Sequence, residues 1–153
     1  MIQPDLTLLF VPVYSPLCNL AFALRREVFI EEQRVEDDEF DDLDRAATHL
    51  VAIDAGDVVG TLRLLVDGNT MKIGRVAVRR SRRGEGIGAR LLQAALDHGR
   101  QAGFLGFRLA AQHDKTGFYA RFGFTVSSAP YDDGSGILHV DMLCPAGAND
   151  DNS

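Results

Sequence analysis

The order of apolar and polar positions predicts a strand, a helix and a three-stranded meander in the first half of the chain. Residues 6–13 are apolar and rich in branched side chains, which is typical of a strand. Ser15 and Pro16 supply a helix cap and a first-turn proline, and apolar residues then recur at spacings of three and four until about Gln33. Residues 49–54, 58–66 and 71–78 follow as strands, joined by two short turns that contain glycine.

The pattern in the second half predicts one long amphipathic helix and several short elements. The helix runs from Gly88 with apolar positions at helical spacing, and Gly103 ends it. Residues 107–111 are predicted as a strand, 116–122 as a helical piece, and 124–126 and 137–143 as two more strands. From Pro145 onward the chain has little to bury, so we predict one domain over residues 1–144 and a flexible tail over 145–153.

The composition fits a single acidic domain, and its charge distribution adds information. The chain has 153 residues, 46% of them apolar, with a net charge of −6 and a pI near 5.1. These values argue against a general nucleic-acid binder. Four of the 16 basic residues lie in the run 79–83, whereas seven acids lie within the acidic run 36–44. We predict an anion site near the basic run. We interpret the acidic run as a solvated loop or short helical turn, with attraction of a cationic substrate as the alternative.

Cysteine usage and the N-terminus bear on metal binding, redox state and location. Cys18 and Cys144 form no CxxC pair and have no histidine at metal-ligand spacing, so we predict reduced thiols and no metal site. The N-terminus lacks a basic region followed by an apolar signal core, and no stretch approaches the ~18 consecutive apolar residues that span a bilayer. The sequence therefore predicts a cytoplasmic protein without a membrane partner.

The clearest chemical signal is the segment Arg83-Gly84-Glu85-Gly86-Ile87-Gly88. Its glycines follow an apolar strand and open an amphipathic helix, where free backbone N–H groups and the helix dipole favour a phosphate. A Walker loop needs lysine and a hydroxyl residue after its last glycine, but Ala89 and Arg90 stand there. A dinucleotide loop belongs in an early βαβ unit, whereas this one follows a meander in mid-chain. The pattern predicts a phosphate cradle that is not an ATP or NAD site, with a tight strand-to-helix turn as the alternative.

Two blocks of sequence carry a resemblance to a known family. The cradle fits [RQ]-x-x-G-x-[GA] after the strand Val76-Ala77-Val78, and the segment from Gly117 to Phe124 resembles F-Y-x-x-x-G-F. In this order and separation the blocks resemble the GNAT superfamily of N-acetyltransferases, over roughly residues 17–143. Residues 24–33 and 60–64, the acidic run and His49 resemble, more narrowly, its ElaA-type branch. The resemblance implies an α/β (α+β) fold, with a mixed, mostly antiparallel twisted sheet of six to seven strands and helices on both faces.

The resemblance also implies where an acyl-CoA binds. In the family, the cradle amides bind the CoA pyrophosphate, and a strand backbone pairs with the pantetheine arm where two strands splay apart. Gln112 stands where the family often has an asparagine that bonds the cofactor, seven residues before the tyrosine. Carried over, the cofactor-binding residues are Val76, Ala77, Val78, Arg83, Gly84, Glu85, Gly86, Ile87, Gly88 and Gln112.

Direct transfer of an acyl group to an amine needs a proton donor and a proton acceptor. By resemblance, Tyr119 is the general acid that protonates the departing CoA sulfur, with simple aromatic packing as the alternative. Glu32 and His49 are the predicted catalytic bases. Glu31 and His139 are further candidates, which we place at the acceptor site. For each of these four side chains a structural or solvated role is the alternative.

The sequence thus predicts an acyl-CoA-dependent N-acyltransferase that moves acetyl from acetyl-CoA to a primary amine of a small molecule or peptide. The acceptor is cationic if the acidic run attracts it. Two alternatives stay open: a noncatalytic acyl-CoA sensor, and an enzyme that resembles acyl-homoserine lactone synthases. No nucleic-acid partner is expected, and a homodimer is left open.

Overall fold

Residues 5–35 and 41–147 are described by the computed structural model, and they form eight strands and four α-helices. The strands are β1 (Thr7–Val11), β2 (Thr48–Asp54), β3 (Asp57–Asp67), β4 (Thr70–Val78), β5 (Gly106–Gln112), β6 (Thr125–Val126), β7 (Tyr131–Asp132) and β8 (Leu138–Pro145). The helices are α1 (Pro16–Arg25), α2 (Leu43–Ala46), α3 (Ile87–Gln101) and α4 (Thr116–Ala120), and α1 continues as a π-helix over Arg26–Glu32. None of the helices in this described part has the length and apolar character needed to cross a membrane.

One mixed sheet contains all eight strands. Its order is β1-β2-β3-β4-β5-β8-β6, and β7 pairs with β8. Neighbouring strands are antiparallel except β4 and β5, which run parallel. The predicted mixed, mostly antiparallel sheet is therefore confirmed. The sequence pattern missed β7, because a strand of two residues is too short to show an alternation.

Helix α1 begins as its sequence predicts but changes geometry before it ends. Ser15 caps the first turn by accepting a hydrogen bond from the N–H of Leu17 at 3.2 Å, and Pro16 is the first helical residue. After Arg25 the turns widen into a π-helix, in which the N–H of Gln33 bonds to the carbonyl of Val28 at 3.0 Å. The predicted helix end near Gln33 is confirmed. The π geometry was not predicted, because apolar spacings of three and four do not distinguish it from an α-helix.

Helices cover both faces of the sheet, as predicted. Successive strand side chains alternate between the faces, so each strand contributes to two cores. Leu50 and Ala52 of β2 join the core under α3, whereas Val51 joins the core under α1. The α3 core also contains Ile73, Leu91, Leu92, Leu96, Phe107 and Met142. The α1 core also contains Cys18, Ala21, Leu24, Val28, Val58 and Ala77.

Strands β4 and β5 pair over Thr70–Lys72 and Gly106–Arg108, and no further pair joins them in the described part of the chain. β4 then becomes irregular, since Thr61 of β3 lies opposite Ala77 while Arg63 lies opposite Gly74. Within this bulge Arg75 has a φ of +52°, in the left-handed region. Beyond the paired residues both strands continue, but no ladder pairs join them among the residues that the structure describes. We call the space between their unpaired edges the β4–β5 opening.

The end of β8 contains the first residue of the predicted tail. Pro145 lies opposite Gly106 of β5, and the N–H of Ala146 bonds to the carbonyl of Leu105 at 3.0 Å. The carbonyl of Ala146 accepts a hydrogen bond from Arg100 Nε at 2.6 Å. Residues 145–147 are therefore held against the domain. Residues 148–153 of the predicted tail lie outside the described residues.

A buried ion network fixes the segment between α1 and β2. Asp44 of α2 is fully buried and receives hydrogen bonds from the Arg25 guanidinium at 2.8 and 3.2 Å. Arg63 of β3 donates to Asp44 at 3.1 Å and to Asp41 at 2.9 Å. The short helical turn predicted for the acidic run is confirmed at α2. The interpretation of the run as solvated is wrong for Asp44, because the arginines neutralise its charge inside the protein. Residues 36–40 of the run lie outside the described residues.

The same network sets the charge state of Asp44. Burial raises the pKa of a carboxyl group, but hydrogen bonds from Arg25, the backbone N–H of Asp41 and Arg63 outweigh it and lower the pKa of Asp44 to about 2. An unfolded aspartate has a pKa of about 3.9. Because the folded pKa is the lower one, the network stabilises the fold above about pH 4, and this contribution is lost as the pH falls through about 2.

We expect Asp44→Asn to destabilise the protein by about 3 kcal/mol at neutral pH, because it leaves two arginines buried beside a neutral group. Asp42→Asn is the matched control: Asp42 is exposed in the same segment, and its loss should change stability by less than about 0.5 kcal/mol. Urea unfolding measures the free energy of unfolding of both variants. The difference in free energy of unfolding between the wild-type protein and Asp44→Asn should become smaller as the pH falls from about 4 to about 2. Equal stabilities of the two variants at neutral pH would contradict this role of Asp44.

Candidate active site

The turn between β4 and α3 has the backbone geometry that the glycine pattern predicts. Gly84 and Gly86 have φ angles of +85° and +84°, which other residues adopt only with strain. α3 begins at Ile87, and no side chain in the described residues caps it. The first N–H groups of the helix have no acceptor within it, and the positive end of its dipole is at this turn. The arrangement suits an anion such as a phosphate.

Gly88 differs from Gly84 and Gly86, although the sequence pattern treats the three alike. It lies in the first turn of α3, and a Cβ atom built on it would be 3.6 Å from the Phe118 ring and 3.7 Å from the Val78 side chain. These are ordinary contact distances. Neither the backbone conformation nor the packing requires glycine there, so its effect is to leave the surface at the start of α3 open to a ligand.

The side chains of Glu85 and Ile87 are engaged elsewhere. The Glu85 carboxylate accepts a hydrogen bond from Arg82 Nε at 2.9 Å. Ile87 is buried in the α3 core, where a Cβ atom built on Gly60 would come within 2.8 Å of its Cγ2. These two residues therefore present their backbone N–H groups to a ligand at the turn.

The predicted strand residues Val76, Ala77 and Val78 lie along one side of the β4–β5 opening. Val76 and Val78 pack against the α3 core, and Ala77 is buried in the α1 core. The N–H of Arg79 bonds to Val59 on β3, so the carbonyl of Val78, in the same trans peptide, points away from β3 toward the opening. The strand edge thus presents the kind of backbone group that the predicted pantetheine pairing needs.

The Arg83 side chain is hydrogen-bonded to the Val78 carbonyl in this structure. Its Nε and Nη2 donate to the Val78 carbonyl oxygen at 3.1 and 3.0 Å, and its Nη2 is also 2.9 Å from Glu32 Oε1. The guanidinium therefore joins the end of the π-helix to the end of β4. For Arg83 to hold a phosphate, its guanidinium must share or exchange these acceptors.

Tyr119 is connected to the first turn of α3 through Phe118. Phe118, the ring nearest Gly88, packs edge-on against the Tyr119 ring with centroids 5.0 Å apart, and Phe124 packs on Tyr119 at 6.1 Å. Burial raises the pKa of Tyr119 to about 12. The phenol is therefore protonated at neutral pH and can donate a hydrogen bond, and its raised pKa makes it a weaker acid than an exposed tyrosine.

Glu32 is the last residue of the π-helix and is tied to Arg83 by contacts of 2.5 and 2.9 Å. The hydrogen bond from Arg83 lowers the pKa of Glu32 against the opposing effect of burial, and the charges of Arg80 and Lys115 lower it further. A carboxylate stabilised in this way stays ionised and is a weaker base, and its charge is already paired with Arg83. Glu31, the residue before it, is exposed.

The two predicted histidines lie at different places. His49 is buried under α1, with its Nε2 3.0 Å from the carbonyl oxygen of Asp44. Because β3 separates β2 from β4, the structure does not bring His49 to the β4–β5 opening. His139 of β8 lies opposite Gln112, the last residue of β5, and its Nδ1 is 2.7 Å from the carbonyl oxygen of Ile137. His139 is therefore the histidine nearer to the opening.

Gln33 is a site residue that the sequence did not reveal. Gln112 Nε2 donates to Gln33 Oε1 at 2.9 Å, and Gln33 Nε2 lies 3.4 Å from Gln112 Oε1. The pair joins the end of the π-helix to the end of β5. Gln33 ends the segment 24–33 that resembles the ElaA-type branch, but that segment does not indicate its contact with Gln112, which depends on the folded arrangement.

The two cysteines are free, and each is buried in a different core. Cys18 lies in the α1 core and Cys144 in the α3 core. Burial raises the pKa of both thiols, to about 11 for Cys18. Such thiols are weak nucleophiles at neutral pH. Within residues 5–35 and 41–147, no three side chains of His, Cys, Asp or Glu come together as a metal site.

The sheet opens beside a glycine-rich helix start, which suits a ligand that carries both a phosphate and amide groups. Residues 16–124 match the model of the Acetyltransferase (GNAT) family. The chain therefore belongs to the GNAT family, and the recognition from the two sequence blocks is confirmed.

Known proteins are similar to this chain over most of their length. The uncharacterized N-acetyltransferase YjcF of Bacillus subtilis is 33% identical over 124 residues, which are 80% of this chain and 89% of YjcF. An acyl-CoA N-acyltransferase from Pseudomonas aeruginosa is 29% identical with a TM-score of 0.84, covering 92% of this chain and 99% of its own. Escherichia coli ElaA, 24% identical with a TM-score of 0.81 over 91% of this chain and 99% of its own, has the same fold. The family and these neighbours imply the use of an acyl-CoA.

Gly86→Ala should weaken CoA binding about tenfold or more, because alanine disfavours the φ that aims the backbone N–H groups at the ligand. Gly68→Ala is the matched control: Gly68 has a φ of +61° in the turn between β3 and β4, with open space around a Cβ atom. Each variant should lose about 1 kcal/mol of stability. Calorimetric titration with CoA should give a weaker affinity for Gly86→Ala than for Gly68→Ala. Equal affinities would contradict a phosphate cradle at Gly86.

Proposed function

We propose that the protein transfers an acetyl group from acetyl-CoA to a primary amine of a small molecule or peptide. The observation that supports the proposal is the glycine turn at the start of α3 together with the Val78 carbonyl that points into the β4–β5 opening. Tyr119 adds support, because the ring of its neighbour Phe118 is near Gly88. The turn suits the CoA pyrophosphate, the strand edge suits the pantetheine amides, and the phenol suits the leaving sulfur. Membership of the GNAT family supports an acyl-CoA donor.

The transfer proceeds by direct attack of the amine. The amine nitrogen bonds to the thioester carbonyl carbon, and the bond from that carbon to sulfur breaks. The attacking amine is neutral and gives up one proton to a base, while Tyr119 donates its phenolic proton to the departing CoA sulfur. The phenolate then regains a proton from the protonated base through solvent, which balances the reaction. A route through an acyl-cysteine is disfavoured, because both thiols are buried in the cores with raised pKa values.

Glu32 and His139 are the residues that we propose for the acceptor side, with Glu31 at the rim. To bind an ammonium group, Glu32 must share or exchange its Arg83 partner. The imidazole of His139 is suited to accept a proton from the acceptor, directly or through water. His49 is enclosed and bonded to the Asp44 carbonyl, so its role in the proposal is to hold the ion network rather than to act on substrate.

The charge of the acidic run gives limited support to a cationic acceptor. Asp41 and Asp44 are paired with Arg25, Arg63 and Arg75, so their fields largely cancel at a distance. Residues 36–40, which carry the rest of the run apart from Asp42, lie outside the described residues. Glu32 is likewise paired with Arg83, so a cationic acceptor is proposed on the basis of the exposed Glu31 rather than on the whole run.

An acetyl-CoA assay for free thiol, run across a library of amines and peptides, tests the proposal together with calorimetric CoA binding. Thiol release that depends on one class of amine supports an N-acetyltransferase. Binding of CoA without release for any acceptor would replace it with an acyl-CoA sensor. Release with longer acyl-CoA donors but not with acetyl-CoA would point to an enzyme like the acyl-homoserine lactone synthases.

Tyr119→Phe should lower kcat at least about 100-fold while leaving the Kd for acetyl-CoA within about twofold, because it removes the proton donor but keeps the ring. Tyr14→Phe is the control, since Tyr14 is 86% exposed and should retain full turnover. Steady-state kinetics and calorimetry provide the two readouts. Full turnover by Tyr119→Phe would restrict Tyr119 to aromatic packing.

A further inference from the structure

The end of the π-helix is attached to both sides of the β4–β5 opening. Glu32 binds Arg83, which in turn donates to the Val78 carbonyl at the end of β4. The next residue, Gln33, exchanges side-chain hydrogen bonds with Gln112 at the end of β5. Two consecutive residues thus reach two strands that are not hydrogen-bonded to each other at this level.

The backbone at the end of the π-helix is irregular directly after Glu32 and Gln33. Gln33 closes the π turn by its N–H bond to Val28, and the N–H of Val35 returns to the carbonyl of Phe29 at 2.7 Å. Between them Arg34 has a φ of +61°, a conformation that is unfavourable for a side chain larger than glycine. Both π-helical turns and such strained residues occur preferentially at functional sites. The buried side chains of Val28 and Phe29 anchor the segment.

Amide chemistry shows what the contact with Gln33 does for Gln112. A glutamine amide has two N–H donors and one carbonyl oxygen with two acceptor sites. The reciprocal pair uses one donor and one acceptor site of Gln112, so one N–H and one acceptor site are left for a ligand. Glutamine has a long, rotatable side chain, and ordering it at the moment of binding weakens the complex. A partner that orders the amide beforehand removes this loss.

We infer that Gln33 is a positioning residue that holds the Gln112 amide at the end of β5 in the orientation that binds acetyl-CoA. The inference rests on the proposed function, since it assumes that an acyl-CoA enters the β4–β5 opening. Gln33 acts through Gln112, so its effect is on donor affinity and not on the chemical step.

Calorimetric titration with CoA tests this without requiring turnover. Gln33→Ala should raise the Kd about fivefold, the effect of one hydrogen bond, while kcat at saturating acetyl-CoA changes by less than about twofold. The double variant Gln33→Ala/Gln112→Ala should bind within about twofold of Gln112→Ala alone, because Gln33 has no route to the ligand except through Gln112. Gln93→Ala is the matched control, since Gln93 is an exposed glutamine of α3 that bonds to Asp97.

Two results would overturn the inference while leaving the proposed function intact: an unchanged Kd for Gln33→Ala, or losses of affinity that add in the double variant. The side-chain amide resonances of Gln112 in the ligand-free protein give an independent readout. Gln33→Ala should shift them and speed their hydrogen exchange, and no change would also overturn the inference. If the wild-type protein binds no CoA, the proposed function fails, and these resonances still decide whether Gln33 positions Gln112.

Discussion

The site depends on the shortness of the backbone ladder between β4 and β5. Their parallel ladder ends after Lys72 and Arg108, and the bulge around Arg75 then changes the course of β4. Parallel neighbours normally continue their ladder, because unpaired backbone groups inside a protein are costly. Here the interruption leaves a strand edge facing the start of α3, and the Arg83 guanidinium satisfies the Val78 carbonyl. The opening is therefore a gap in the sheet hydrogen bonding, placed where an elongated ligand with amide groups can complete it.

The buried ion network supports this gap from the α1 side. Arg63 lies on β3 at the edge of the bulge, and Arg75 within the bulge donates to Asp41 at 3.2 Å. The carboxylates come from the segment before β2, and Arg25 comes from the last turn of α1. Removing one member of such a network leaves an uncompensated buried charge, which is far more costly than losing an exposed pair. The network thus links the bulge, α1 and the acidic segment, and it explains why part of a strongly charged run is inside the protein.

Much of the fold could be predicted because its signals are local. Apolar runs bounded by glycine-containing turns mark β2 to β4, and Gly84 and Gly86 mark a turn that only glycine adopts without strain. The rest depends on contacts between distant parts of the chain. The π turns before Gln33 keep the apolar spacing of an α-helix, and the burial of Asp44 and His49 follows from arginines and strands that local sequence does not place beside them. Gln33 was missed for the same reason, since neither it nor Gln112 has chemistry that identifies a partner.

The short ladder between β4 and β5 also divides the molecule mechanically. On one side lie the meander of β1 to β4 and helix α1, and on the other lie β5 to β8, with three backbone pairs joining the two half-sheets. Side-chain packing under α3 and the Gln33–Gln112 contact hold them together, and neither replaces the missing ladder hydrogen bonds. A ligand that spans the junction adds its binding free energy to whatever keeps the halves closed. Resistance of the protein to local opening, and so to proteolysis, is therefore tied to how fully the opening is occupied.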